Sequence, residues 1–197
     1  MLFCENIVLF YLPSFHFIKK GIFMDFELIN ASSAEKEVLS NLLQFYIYDF
    51  SAYLNIDVGQ NGIFAGYPEL DDYWLNPADR FPYLIRIKGK YAGFVLIKRT
   101  EPGKSSFSVA EFFILNRYRR HGVGKAVAEM IFTRHRGDWE VHQRPNNLPA
   151  QQFWERVISG FTGGQYSDRF ENGKRIQLFS SQPATDIPQK SRSLPHE

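Results

Sequence analysis

Arg117, Arg119, Arg120, Gly122, Gly124 and Lys125 lie close together in this chain, directly after an apolar run, Val109–Leu115, that Glu111 alone interrupts. A strand leading into arginines, glycines and a helix makes an anion cradle. The first N–H groups of a helix have no intrahelical acceptor, and the helix dipole favours negative charge in front of them. Glycine lets backbone approach a bound group closely. Guanidinium groups add charge-assisted hydrogen bonds. No acidic residue lies between Asn116 and Lys125 to oppose the anion. His121 sits inside the loop, either against phosphate or as a spacer. A nucleotide P-loop needs Ser or Thr after its lysine, and Lys125 is followed by Ala126. The three-glycine dinucleotide fingerprint is also missing. Glu111 is the second chemical candidate. Burial disfavours its charge and raises its pKa toward that of a useful base. A structural pair with an Arg or Lys on a neighbouring strand is the alternative.

The elements that must hold these residues follow from periodicity. Phe26–Ile29 reads as a strand. Ser32 and Glu35 have capping-box spacing, and Val38, Leu39, Leu42, Leu43, Tyr46, Ile47 and Phe50 form a helical stripe over 33–50. Residues 51–80 lose periodicity, with a short helix near Leu70–Leu75. Pro82–Ile87 and Tyr91–Arg99 form a hairpin around Lys88-Gly89-Lys90. Phe107–Leu115, apolar on both faces, is a central buried strand. Gly122 opens a helix carrying Val123, Val127, Met130 and Ile131. Trp139–His142 is a strand and Ala150–Ile158 a helix. Gln165–Phe170 and Arg175–Phe179 flank the Asn172-Gly173 turn. The order β-α-β-β-β-α-β-α-β-β gives a mixed α/β sheet covered by helices.

The chain has 197 residues, with 23 Lys plus Arg against 21 Asp plus Glu, so no overall field demands nucleic acid. One cysteine, Cys4, excludes an internal disulfide framework and a Cys-based zinc cluster. No His/Asp/Glu spacing resembles a metal site, and His135 and His142 read as surface or strand-end residues. Residues 1–23 are apolar but cut by Pro13, too short to span a membrane and unlike a secretory signal. They read as an upstream extension from a start ahead of Met24, with a domain at 24–180. Residues 181–197, rich in Pro and Ser, read as a disordered tail. The expected location is the cytoplasm, with no membrane or nucleic-acid partner. The oligomeric state stays open.

Arg119-x-x-Gly122-x-Gly124 after a strand resembles the pyrophosphate loop of the GNAT N-acetyltransferase family, R/Q-x-x-G-x-G/A. Asn147, Ala150, Phe153, Trp154, Gly160 and Phe161 resemble its later pattern, N-x-x-A-x-x-F-Y followed by a glycine-aromatic pair. The element order from about residue 25 to 180 is similar too. The resemblance implies a mostly antiparallel sheet splayed between its fourth and fifth strands, with acetyl-CoA in the split as co-substrate and no metal. Arg119, Arg120, His121, Gly122, Val123, Gly124 and Lys125 would hold pyrophosphate. Phe112–Leu115 would pair with the pantetheine, and an N–H near Phe113–Ile114 would polarise the thioester carbonyl. Asn147 would bond the cofactor arm, and Glu111 would help an attacking amine lose its proton.

One position departs from the pattern. Trp154 stands where many members carry a tyrosine that protonates the departing thiolate, and indole is no acid. Tyr166 is a substitute, or the thiolate leaves unaided. The family's acceptor side corresponds to a region carrying Asp57, Glu69, Asp71, Asp72 and Asp79 among Tyr67, Tyr73 and Trp74. That set suits a cationic amine, or is a solvated loop with aromatics plugging the core. The rival to catalysis is a module that senses acetyl-CoA or binds phosphate.

Overall fold

A computed structural model describes residues 25–182; the expected extension at 1–23 and the tail from 183 on lie outside the described residues. In chain order the elements are β1 (Phe26–Asn30), α1 (Lys36–Ser51), α2 (Asp72–Leu75), β2 (Arg80–Ile87), β3 (Lys90–Arg99), β4 (Ser106–Ile114), α3 (Val123–Arg134), β5 (Asp138–Gln143), α4 (Leu148–Thr162), β6 (Ser167–Glu171) and β7 (Lys174–Ser180). The sheet order is β1-β2-β3-β4-β5-β7-β6. Every pairing is antiparallel except β4 with β5, which is parallel. This is the mixed, mostly antiparallel α/β sheet that the sequence predicts.

Alternation sorts each strand between two cores. On one face Leu84, Phe94, Leu96 and Phe113 pack against Leu39, Leu42 and Leu43 of α1 and Tyr73 of α2. On the other, Val95, Ile97, Phe107, Val109 and Ile114 pack against Val127, Ile131 and Phe132 of α3 and Trp154, Val157 and Ile158 of α4. Burying both faces makes β4 the central strand. The predicted helix over 33–50 opens as a 3-10 turn, Ser33–Glu35, before α1. Glu35 accepts from the Ser32 N–H at 3.1 Å and pairs with Arg86 of β2 at 3.0 Å, which ties the helix start to the sheet.

Two irregularities shape the middle of the sheet. Leu96 pairs with Glu111 but Ile97 pairs with Val109, so Ala110 is an extra residue in β4. Such a bulge bends its strand and increases the local twist. β5 pairs with β4 only at Ser106, Phe107 and Ser108, and beyond Ser108 the two strands part. Gly93 permits the close approach of β3 to bulged β4, since a Cβ there would lie 2.0 Å from the Phe113 carbonyl oxygen.

His135 closes the other end of the α3–α4 core. Its ring lies against Phe81, Phe107 and Trp139, and Nε2 is 2.8 Å from the Tyr83 hydroxyl. Burial, with Arg134 and Arg99 nearby, pushes its pKa down to about 4. A base whose folded pKa lies below its unfolded value costs stability as pH falls. The unfolded chain takes a proton from about pH 6.5 downward, whereas the folded ring stays neutral until about pH 4. This site should therefore remove on the order of 2 kcal/mol across that window, discounted for the ring's partial exposure. Urea midpoints should fall less steeply with acid in His135→Gln than in the parent. Equal slopes would remove His135 from the acid response.

Candidate active site

The site is built where β4 and β5 separate. Leu115 N–H donates to Ala92 O at 2.8 Å, and Phe113 pairs with Phe94. Backbone groups alternate along an antiparallel strand, so the Phe113 N–H faces β3. The groups turned into the split are those of Phe112 and Ile114. Of the two residues expected to polarise a carbonyl, Ile114 turns its N–H toward the split and Phe113 turns its N–H toward β3. The Phe113 side chain lies instead in the α1 core beside Phe94 and Tyr46.

Past β4 the chain makes a 3-10 turn, Asn116–Tyr118, and enters the arginine-glycine loop. Arg120 and Gly122 have positive φ, 63° and 80°. Alternating handedness of this kind turns successive N–H groups to one side and makes an anion-binding concavity. The N–H groups of Arg120, His121, Gly122, Val123, Gly124 and Lys125 have no backbone acceptor among the described residues; the first loop-to-helix bond runs from Ala126 to Gly122 O, at 3.1 Å. The two glycines serve different ends. Gly122 supplies the left-handed conformation and has open space around it. Gly124 admits the Phe153 ring, which would lie 3.2 Å from a Cβ.

The loop side chains divide. Arg120, His121 and Lys125 are exposed, and Lys125 Nζ is 3.6 Å from Glu129 Oε1. Arg119 turns away: it pairs with Asp49 of α1, donates from Nε to Ile114 O at 2.6 Å and lies over the Phe113 ring. It therefore clamps the end of β4 to α1 and occupies one of the carbonyls facing the split. Arg119→Ala should lower both the melting temperature and the affinity for CoA, while Asp49→Asn should reproduce the first effect more strongly than the second. An affinity loss in Arg119→Ala without any change in melting would place the guanidinium on the ligand instead. Asn147 caps α4, its side-chain oxygen accepting from Ala150 N–H at 3.1 Å.

Glu111 projects from β4 toward α1. Its carboxylate accepts from the Tyr46 hydroxyl, and Tyr67 approaches the same group. No ion pair holds it among the described residues, so its structural partners are tyrosines and not the Arg or Lys of the alternative reading. Burial raises its pKa, although Tyr46, Tyr67 and the charge of Lys98 pull the other way. Burial and the neighbouring carboxylate raise the pKa of Tyr46 in turn, so its hydroxyl stays a proton donor.

Carboxylates on the acceptor side are largely spent. Glu69 and Asp72 pair with Arg80, Asp71 with Lys36 and Asp79 with Arg99. The aromatics are spent too: Tyr73 is buried, and Trp74 donates to Ala31 O at 2.9 Å. This weakens the case for a polyanionic amine trap. On the donor side Trp154 is buried against Phe112, Phe153 and Phe132. Tyr166 precedes the edge strand β6, beside Gln152, Glu155 and Ser159 of α4. β5 and β7 lie between β6 and the split. The sequence marks Tyr67 only as one of the acceptor-side aromatics and leaves Asp49 unmarked. Tyr46 sits in the helical stripe and was legible only as core.

Among the described residues no helix is long and apolar enough to cross a membrane, and no group of three His, Cys, Asp or Glu side chains converges. Comparison with known proteins gives a consistent family. The profile of the acetyltransferase (GNAT) family matches residues 47–161. Solved structures share the fold at low identity. An acetyltransferase from Thermus thermophilus is 12% identical with a TM-score of 0.59, covering 79% of this chain and 96% of that one. The ribosomal-protein-S18-alanine N-acetyltransferase from Escherichia coli is 10% identical, TM-score 0.56, covering 82% and 97%. The spermidine N-acetyltransferase from Vibrio cholerae, solved with CoA and spermine, is 9% identical, TM-score 0.56, covering 79% and 95%. No curated protein matches the sequence.

Proposed function

Because the chain belongs to the acetyltransferase (GNAT) family, we propose that it transfers an acetyl group from acetyl-CoA to an amine by direct attack. The observation that carries this reading is the row of six N–H groups without backbone acceptors, Arg120 to Lys125, opening beside the split. They fit a pyrophosphate in charge and shape. Phe112 supplies free strand-edge groups for the pantetheine, and the N–H of Ile114, whose carbonyl is held by Arg119, polarises the thioester carbonyl. Arg119 and Asn147 hold the walls of the cleft. Lys125 adds positive charge at its mouth, and His121 an exposed polar ring.

In this reading Glu111 accepts a proton from the incoming ammonium, because only a neutral amine attacks. Its raised pKa suits the task. Tyr46 and Tyr67 fix the carboxylate. The acetyl-CoA-sensing or phosphate-binding alternative keeps the loop and omits this step. The domain is taken as 24–180, and the lone cysteine suits a reducing compartment, so the cytoplasm is the proposed location. The test is acetyl transfer by the full chain to a panel of small amines, polyamines and peptide N-termini, read as acetylated product by mass and as thiol release. Product from any class supports the transferase. Tight CoA binding with no product from any class favours the sensing module.

A further inference from the structure

A departing CoA sulfur leaves more readily with a proton, yet Trp154 cannot give one and Tyr166 precedes β6, which β5 and β7 separate from the split. The geometry points to His142, held by Glu140, as the acid that serves the sulfur from the acceptor face of the split. This rests on the transferase reading above.

Three observations place the pair. First, Trp139 and Val141 are buried in the core under α3 and α4. Alternation then turns Glu140 and His142 to the opposite face, the face that carries Glu111. Second, the register sets their height. Ser108 of β4 pairs with Glu140 of β5, and there the pairing stops. His142 is two residues farther along β5. Glu111 is three farther along β4, one of which is the bulged Ala110. Glu111 and His142 therefore stand at one level on the two sides of the opening. Arg144, two residues beyond His142, acts electrostatically on the Tyr46 hydroxyl that holds Glu111, so this edge of β5 faces the Glu111 cluster. Third, His142 Nε2 is 3.0 Å from Glu140 Oε1. A carboxylate on one ring nitrogen fixes the ring's orientation and leaves the other for a reacting group. Nδ1 has no protein partner among the described residues.

The charged groups around the ring are few. Glu140 and Arg144 lie on its own strand and Glu111 across the split. Lys98 of β3 shares a row with Glu140 through Ser108. On the far side the ring's neighbour is Ile176 of β7, followed by Arg169 of β6, which is paired with Glu171 at 3.2 Å.

The proton balance closes with two groups. Glu111 takes one proton from the ammonium. As the C–N bond forms and the C–S bond breaks, the protonated ring gives its proton to sulfur. The neutral ring then takes the remaining surplus proton from the acylated nitrogen, and Glu111 releases its own to water. The sum is ammonium plus thioester to amide, thiol and one proton, with both side chains restored. Two titratable groups in different environments, one buried among tyrosines and one on a half-exposed strand edge, thus divide the base and acid roles.

The test reads bound CoA and needs no acceptor. CoA is added to the full chain, to His142→Gln and to Glu140→Gln; binding is followed by calorimetry and the thiolate by its ultraviolet absorbance against pH. A protonated ring beside the sulfur stabilises thiolate, so wherever the ring is protonated the thiolate fraction should be about tenfold lower in His142→Gln. It should be lower by a smaller factor in Glu140→Gln. Equal thiolate curves in all three proteins overturn the assignment and leave the transferase reading intact. Failure of the parent chain to bind CoA overturns both. If His142→Gln does not fold by circular dichroism, Glu140→Gln, which keeps the ring, carries the same decision.

Discussion

Glu111→Gln should lower the turnover of acetyl transfer by about a hundredfold or more while leaving CoA affinity as it is. General base catalysis is typically worth ~10²–10⁴ in rate, and Glu111 touches neither the arginine-glycine loop nor the strand-edge groups that face the split. The pH profile gives the sharper signature. A base acts ionised, so the rate should rise with pH through the Glu111 titration, and burial places that limb above the usual carboxylate range. Gln should abolish the limb. Tyr46→Phe removes a donor to the ionised form and should move the limb to still higher pH. Stability should move the opposite way to activity. A carboxyl whose folded pKa is raised is costly to keep ionised, so above the carboxylate range the neutral Gln should melt no earlier than the parent. A Gln variant with parental turnover and an unchanged acid limb would leave Glu111 a structural residue only.

Gly122→Val should have the largest effect on binding, raising the CoA dissociation constant by about a hundredfold. Gly122 has φ 80° and no atom near its missing Cβ. The free protein therefore suffers backbone strain and no clash. Holding a β-branched residue in that region costs about 1–3 kcal/mol, which relaxes by moving the N–H groups out of their common direction. An affinity change of a hundredfold corresponds to about 2.7 kcal/mol, within reach of that strain plus the lost alignment. Gly124→Ala is the control. Its Cβ would press on the Phe153 ring at 3.2 Å, so its effect should appear as lower stability through the α3–α4 contact. Binding that survives Gly122→Val unchanged would mean the loop N–H groups do not carry the ligand.

The loop and the framework were legible because local chemistry decides them. Positive φ at Gly122, the Ser32–Glu35 cap, and the glycine turns at Gly89 and Asn172-Gly173 leave direct marks in the residue types, whereas positive φ at Arg120 leaves none. What stayed hidden depends on long-range register and distant partners. Nothing near Ala110 announces the bulge, yet the bulge decides which residues of β4 face the split. Hence Phe113 was expected to turn its N–H into the split, where the register turns those of Phe112 and Ile114. Arg119 reads as a phosphate ligand until its partner Asp49, on α1, is seen. The acidic residues of 69–79 read equally as an amine site or a solvated loop until their pairing with Arg80, Lys36 and Arg99 is seen. Composition showed their charge but not how it was paired.

Thermal melting of the full chain with acetyl-CoA, CoA and ATP, each at low and high salt, tests the central claim most directly. A ligand that binds only the folded protein adds about 2.7 kcal/mol at a hundred times its dissociation constant. Acetyl-CoA and CoA should both raise the melting temperature clearly at either salt, and ATP should not. No shift with any of the three, or a shift with all of them that vanishes at high salt, would contradict a CoA site at the arginine-glycine loop.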